Sequence, residues 1–566
     1  MDNERGMTAR ALLTGMLLGG ALTPSNVYSG LKIGWSFNMS IIALLLGFGL
    51  WRTLGVVAHG RPWTLQESNI NQTAASSAAS IISGGLVAPI PAYTLLTGHT
   101  IAMWPLMAWV FSVSFLGIWV AWFLRPSLIA KSELQFPVGM ATLETMNDIF
   151  GHGREAVKRI SVLFGTGLFS AGVKWIDEFA WRIPRWTPTD RFEKFTFNFD
   201  PSLLLIGFGG IIGIRVGLSL FGGALLAWGI IAPWLIQQGY VAVPANAASW
   251  FSPLVEWLIW PGVTLMVCCT LTSFIVQVLR VLKGGALSGA RDLKPRFSVP
   301  VLATLAAVLL AVVMQVEIFN IPLLMAVLAV PLAVVLASVA ARVVGETGIP
   351  PIGAIGKVSQ LSFGIAAPGQ IITNLMTANA AGGAAGQCAD LLNDFKVGHE
   401  IKANPASQAI AQAFGILAGS IVGVLVYLVL IPNPDSMLLT AEWPAPAVAT
   451  WKAVAEALSY GLDSIPVSVH WAVVAAAVIG ILMGLLETAL PPRWGRYLPS
   501  AVAVGLAFVI PASTSMLMAL GALLAWLFTL RCPGLARRFV IAAAAGLVAG
   551  ESIVGVAASF WEMAGF

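Results

Sequence analysis

Asp390 and Asp394 stand four residues apart in a stretch that is otherwise small and apolar, Gly382-Gly-Ala-Ala-Gly-Gln-Cys-Ala-Asp-Leu-Leu-Asn-Asp394. On a helix that spacing puts both carboxyl groups on one face. Two carboxyl groups held close together and away from water compete for a proton. That is the chemistry of a group that takes up and releases protons within a membrane. Asp394 lies beside Lys396, which reads as a helix end, so Asp390 is the one expected to be buried. Glu346 and Glu144 are further candidates for the same work, each with a plain surface reading beside it. A different chemistry is offered by Asn26-Val-Tyr-Ser-Gly-Leu-Lys-Ile-Gly34. Tyr28 and Lys32 share a helix face there. Lys32 suits a substrate carboxylate, with Tyr28 and Asn26 as hydrogen-bonding neighbours. The alternative is a lysine reaching along its stem to the membrane interface.

These groups sit among two related stretches. Asn69, Thr73, Ser76, Ser80 and Ser83 follow a four-three-four-three spacing and form one polar stripe on a helix over 69–83, with Gln72 alongside. A lipid-facing helix has no use for such a stripe; a helix facing a watery cavity or a close neighbour does. Shifted along the chain, Asn379, Gly383, Gly386, Asp390 and Asn393 repeat the spacing, with Gln387 alongside. Ala74-Ala75 then match Ala384-Ala385, and Ile81-Ile82 match Leu391-Leu392. Two matching halves, 1–296 and 297–566, around one central site is the reading adopted; chance likeness between alanine-rich helices is the alternative. In this register Asp390 corresponds to Ser80, so only one half carries a titratable group at that level.

The elements that must position these residues are membrane helices. The chain of 566 residues is 58% hydrophobic and 10% charged, against about 25% charged in soluble domains. Apolar runs of about 20 residues recur from end to end. The fold class is an all-α polytopic membrane protein with about 14–16 spans. No cleavage site follows the first apolar run. Basic clusters at Arg5 and Arg10, at Arg52 to Arg61 and at 280–296 mark the cytoplasmic side, and loops 177–200 and 432–466 read as external. Residues 134–150 are too short and polar for a span and are flanked by basic residues, so they read as re-entrant, opened by Pro137. Residues 345–394 form a second broken region, where Pro350 and Pro351 interrupt any helix. Residues 201–236 fold back near Arg215. The net charge of +5 is scattered over loops, which gives no nucleic-acid surface. Cys268, Cys269, Cys388 and Cys532 show no metal or disulfide spacing, and no cofactor or enzyme motif occurs.

Asn26-Val-Tyr-Ser-Gly-Leu-Lys-Ile-Gly, Gln72-Thr-Ala-Ala-Ser, Leu134-Gln-Phe-Pro-Val-Gly-Met-Ala-Thr, Glu346-Thr-Gly-Ile-Pro-Pro-Ile-Gly and Ala389-Asp-Leu-Leu-Asn-Asp-Phe-Lys396 together resemble the oligopeptide transporter superfamily, which includes the yellow stripe-like metal-chelate transporters. The resemblance implies about 16 helices from an internal duplication, and proton-coupled uptake of peptides or peptide-like metal chelates. The expected setting is the inner (plasma) membrane of a prokaryote, with substrate, protons and lipid as partners and room for a homo-oligomer. A pore lined by the polar stripes is the first rival. A membrane-embedded enzyme is the second, disfavoured because no nucleophile–base set is present.

Overall fold

The computed structural model describes residues 6–36, 38–58, 61–130, 132, 134–151, 153–244, 247, 249–283, 299–347, 352–461, 466–495 and 497–564. Among these residues the chain is helical, with isolated bridges in place of β-ladders. The first half runs through α1 (Ala9–Ile33), α2 (Ser40–Ala58), α3 (Leu65–Ala79), α4 (Pro89–Thr97), α5 (Met103–Arg125), α6 (Pro137–Gly151) and α7 (Gly153–Trp175). It continues with α8 (Leu203–Ile212), α9 (Ile214–Ala224) and α10 (Phe251–Lys283). The second half contains α11 (Val299–Phe319), α12 (Leu323–Thr347), α13 (Ile352–Ala366), α14 (Ile371–Glu400), α15 (Pro405–Leu430) and α16 (Pro446–Tyr460). It ends with α17 (His470–Ala489), α18 (Ala501–Ala507), α19 (Ala512–Arg531) and α20 (Pro533–Met563). Ten stretches of the described residues are long and apolar enough to cross a membrane. The helices α1, α7 and α14 are as long but more polar, and much of the surface of α1 and α14 is turned to protein. The chain is an all-α polytopic membrane protein.

The expected fold-back after 201 is present, and its break falls at Gly213, whose φ of +83° favours glycine, two residues before Arg215. Residues 137–151 form α6, opened by Pro137 and packed against α14 and α7. The first stripe helix is shorter than the expected 69–83. It ends at Ala79, tightens into a 3₁₀ turn over Ser80–Gly84, and turns at Gly85. The cause lies in Gly85, whose φ is +109°, followed by Pro89 as the start of a new helix. The second stripe is different. It lies on α14, which is uninterrupted from Ile371 to Glu400. The break in the second region precedes it, and residues 348–351, with Pro350 and Pro351, lie outside the described residues.

The packing exchanges elements between the halves. Helix α3 packs on α1, α2 and α15, while α14 packs on α12, α13 and α5. Likewise α7 lies along α20 and α17 along α10, and α8 meets α19 where α18 meets α9. Neither α3 nor α14 has a lipid face, which is why both tolerate so many polar residues. Their neighbours approach through glycine. A Cβ at Gly415 of α15 would lie 2.0 Å from Ser77 Oγ and 2.1 Å from the Ala74 carbonyl oxygen. Overpacking costs about 1–3 kcal/mol, and here the obstacle is partly backbone. Gly415→Val is therefore expected to lower the melting temperature of the purified protein by several degrees. Gly172→Ala, where nothing lies within 4 Å, should leave it unchanged.

Candidate functional site

The two stripes face each other, antiparallel. Ser80, in the turn after α3, and Asn38, just before α2, lie beside the Asp390 carboxyl, and Gln72 and Thr73 lie beside that of Asp394. Further along, Ser83 Oγ donates to Gln387 Oε1 at 3.4 Å. Asn379 Nδ2 donates to the Ser83 carbonyl at 3.4 Å, and Trp109 Nε1 donates to Asn379 Oδ1 at 2.9 Å. The break after α3 frees backbone carbonyls, and asparagines from both halves meet them: Asn379 at Ser83, and Asn26, whose Nδ2 donates to the Ala79 carbonyl at 2.9 Å. Below, Gln72 Nε2 donates to Thr73 Oγ1 at 3.1 Å, and Gln408 Nε2 donates to Asn69 Oδ1 at 3.4 Å.

This seam is polar and incompletely satisfied. Asn69 Nδ2, Gln72 Oε1, Gln387 Nε2, Asn393 Oδ1, Asp394 Oδ2 and both polar atoms of Gln412 have no hydrogen-bond partner among the described residues. A buried polar atom left without a partner costs about 1–3 kcal/mol. The seam is also tight. A Cβ at Gly383 would meet the Ser83 carbonyl oxygen at 2.5 Å and Val113 at 2.4 Å.

Above the seam lies a cavity of about 1110 Å³. Its walls come from the loops after α7 and before α16, both read as external, and from the ends of α1 and α20. Tyr28, Lys32 and Trp443 form part of its floor. Lys32 Nζ donates to the Glu442 carbonyl at 2.6 Å and lies 4.6 Å from the Trp443 ring centroid. Lys174 pairs with Glu178 at 2.5 Å on one wall. Glu551, buried on α20, accepts from Ser202 Oγ and from the Leu204 amide, both at 2.7 Å, at the start of α8. Asn26 at the seam and Lys32 at the cavity are six positions apart on α1, about 9 Å at 1.5 Å per residue.

Several candidates stand elsewhere than the sequence implied. Asp394 is not at a helix end. Helix α14 runs on to Glu400, and Lys396 pairs with Glu400 at 3.0 Å. Asp394 is accordingly the more enclosed carboxylate, with Asp390 partly open. Ser76 turns to α2, accepting from Ser40 Oγ at 3.0 Å. Gly386 is buried within α14. Glu346 pairs with Arg342 at 3.1 Å at the exposed end of α12, and Glu144 is exposed on α6; neither joins the seam. Two further buried charged residues are candidates that no motif in the sequence marks. Lys357 of α13 is 4% exposed, donates to Gln360 Oε1 at 3.0 Å and lies 4.2 Å from the Trp451 ring centroid. It was visible as the lone charge of an apolar helix. Glu67, fully buried, binds Arg10 Nε at 2.7 Å and Nη2 at 2.6 Å.

A helical membrane protein with a polar broken centre and a charged cavity beside it has the build of a transporter. The comparisons agree. The family profile described as OPT oligopeptide transporter protein matches residues 6–562, and the chain belongs to that family. It is 22% identical to the Saccharomyces cerevisiae protein YGL114W, assigned as an oligopeptide transporter, over 98% of this chain and 96% of that one. It is 25% identical to a rice (Oryza sativa subsp. japonica) protein assigned as metal-nicotianamine transporter YSL16, over 97% and 90%. It is 26% identical to a Haemophilus influenzae protein assigned as an oligopeptide transporter, over 94% and 92%. Members of the family are transporters and not enzymes. This chain is a multi-pass membrane transporter of small molecules.

Proposed function

We propose that the protein is a proton-coupled symporter that carries small oligopeptides, or peptide-like metal chelates, inward across the plasma membrane of the cell. The observation that supports this most directly is the link along α1 between the charged outer cavity and the seam that holds Asp390 and Asp394. At about 1110 Å³ the cavity is slightly larger than the usual range of small-molecule sites, about 300–1,000 Å³. Substrate enters it, meets Lys32, Tyr28 and Asn26, and passes to the seam lined by Asn69, Gln72, Thr73, Asn379, Gly383 and Gln387. The polar atoms there that lack partners suit a passing peptide, which is rich in donors and acceptors. Asp390 and Asp394 hold the coupling proton. The exchanged packing of α3 and α14 supports two pseudo-equivalent halves that move against each other.

The passive pore is the competing reading. Close contact at Gly383 favours a carrier, because a solute must part the stripes to cross. Proteoliposomes holding the purified protein test this. Uptake of a labelled dipeptide or of zinc–nicotianamine is expected to saturate and to rise when the outside is made acidic. Non-saturating flux indifferent to the pH gradient would overturn the symporter.

A further inference from the structure

The geometry points to an ammonium-binding cage made by Tyr28, Trp443 and the Glu442 carbonyl, which Lys32 occupies from within and which a substrate's primary ammonium takes over. This rests on the small-peptide reading above and names the half of the substrate that the outer cavity recognises. The Tyr28 and Trp443 rings meet edge to face, with centroids 5.4 Å apart at 76°. The Lys32 ammonium lies 4.6 Å from the Trp443 centroid and 5.7 Å from that of Tyr28, and donates to the Glu442 carbonyl at 2.6 Å. A cation within about 6 Å of an aromatic face is attracted by it. Two rings and a carbonyl acceptor are a complete site for an alkylammonium.

The occupant is tethered but not ion-paired. Among the described residues no carboxylate lies within ion-pair distance of Lys32, whereas Lys174 and Arg185 on the same cavity wall are paired with Glu178, Asp177 and Asp200. Lys32 sits one residue before the end of α1, where Gly34 turns with φ +73°, on a flexible four-carbon stem. Seven carboxylates against four basic side chains line the cavity, so its field gathers cations. An entering zwitterion therefore places its ammonium between Trp443 and Tyr28. Lys32, displaced, turns to the substrate's carboxylate. Lys32 thus competes for one end of the substrate and binds the other. The favoured class is peptides and amino-acid-like chelators with a free primary amine. N-acylated analogues lack the cation that displaces Lys32.

Calorimetric titration of the purified protein with Ala-Ala, Ala-Ala amide and N-acetyl-Ala-Ala tests the cage. Wild type is expected to bind Ala-Ala and to bind N-acetyl-Ala-Ala roughly tenfold more weakly. In Lys32→Met the amide, which needs only the cage, should bind several-fold tighter than to wild type, while N-acetyl-Ala-Ala weakens further. Trp443→Leu should weaken both ammonium-bearing ligands roughly tenfold, with Trp443→Phe between it and wild type. In the double variant the gain for the amide should vanish, which separates cage occupancy from simple loss of a positive charge. If Ala-Ala binds but N-acetyl-Ala-Ala binds equally well, or Lys32→Met does not tighten the amide, the cage is wrong and the transporter reading stands. If correctly folded wild type binds none of the three probes, the peptide reading fails and the cage falls with it.

Discussion

Asp390→Asn and Asp394→Asn are each expected to keep substrate exchange across a proteoliposome membrane and to lose accumulation driven by a pH gradient. Both carboxylates face the first stripe, Asp390 towards Ser80 and Asn38 and Asp394 towards Gln72 and Thr73. Amide for carboxyl keeps the volume and removes the site of protonation. Exchange needs only the substrate to cross in both directions, so it survives. Accumulation needs a proton bound on one side and released on the other. One proton per substrate sustains about a tenfold concentration ratio per pH unit, since one unit corresponds to about 1.36 kcal/mol. That ratio should fall to one in a variant that has lost its coupling group. The two carboxyls stand four apart on one helix face, so either substitution is expected to disable coupling. Counterflow of labelled substrate, compared with uptake under an acid-outside gradient, separates the two properties. Full gradient-driven accumulation by both variants would remove the aspartates from the coupling role.

The membrane class and the two polar stripes were legible because their signal is local. A run of serine, threonine and asparagine at helical spacing inside an apolar chain has few structural explanations. The site between the stripes was less legible. Nothing in the spacing of Asn69 to Ser83 shows that Gly85 turns the chain, or that Asn26 and Asn379 converge on the freed carbonyls of Ala79 and Ser83. These pairings join residues more than 50 and more than 290 positions apart, beyond any periodicity. Lys396 beside Asp394 imitates a helix end in the sequence, whereas its partner is Glu400 one turn on. Glu346 and Glu144 are carboxylates near apolar runs, but Glu346 is exposed at the end of α12 and Glu144 on the surface of α6, which removes the cost of a charge within the membrane. Trp443 gave no signal at all in a loop of ordinary composition, and only the fold brings it over Lys32.

Glu67→Gln is expected to open the cytoplasmic end of the protein. At the end of α3 opposite the cavity lies one buried polar cluster. Glu67, fully buried, accepts from both Arg10 Nε and Nη2, from Thr8 Oγ1 at 2.8 Å and from the Thr64 amide at 3.1 Å. Arg10 also donates to the carbonyls of Arg61 and Pro62, both at 2.9 Å. Its guanidinium lies 5.0 Å and 5.4 Å from the Trp51 and Trp63 ring centroids, and those rings stack 5.2 Å apart. The cluster ties the starts of α1 and α3 to the end of α2. In the inward transport proposed above, α3 would part from these neighbours to let substrate leave. Breaking a buried pair from one side costs about 3–5 kcal/mol, and less here because Arg10 is 21% exposed, so roughly 2–4 kcal/mol is expected. Arg10→Lys, which keeps the charge but loses the two-pronged contact, should lie between wild type and Glu67→Gln. In a background without the four native cysteines, a cysteine at Asn393 reports seam accessibility to an impermeant maleimide applied from the cytoplasmic side. Glu67→Gln should raise that labelling rate severalfold and lower the melting temperature. A lower melting temperature with no change in labelling would make the cluster a structural brace of the α1–α3 junction and place the inner gate elsewhere.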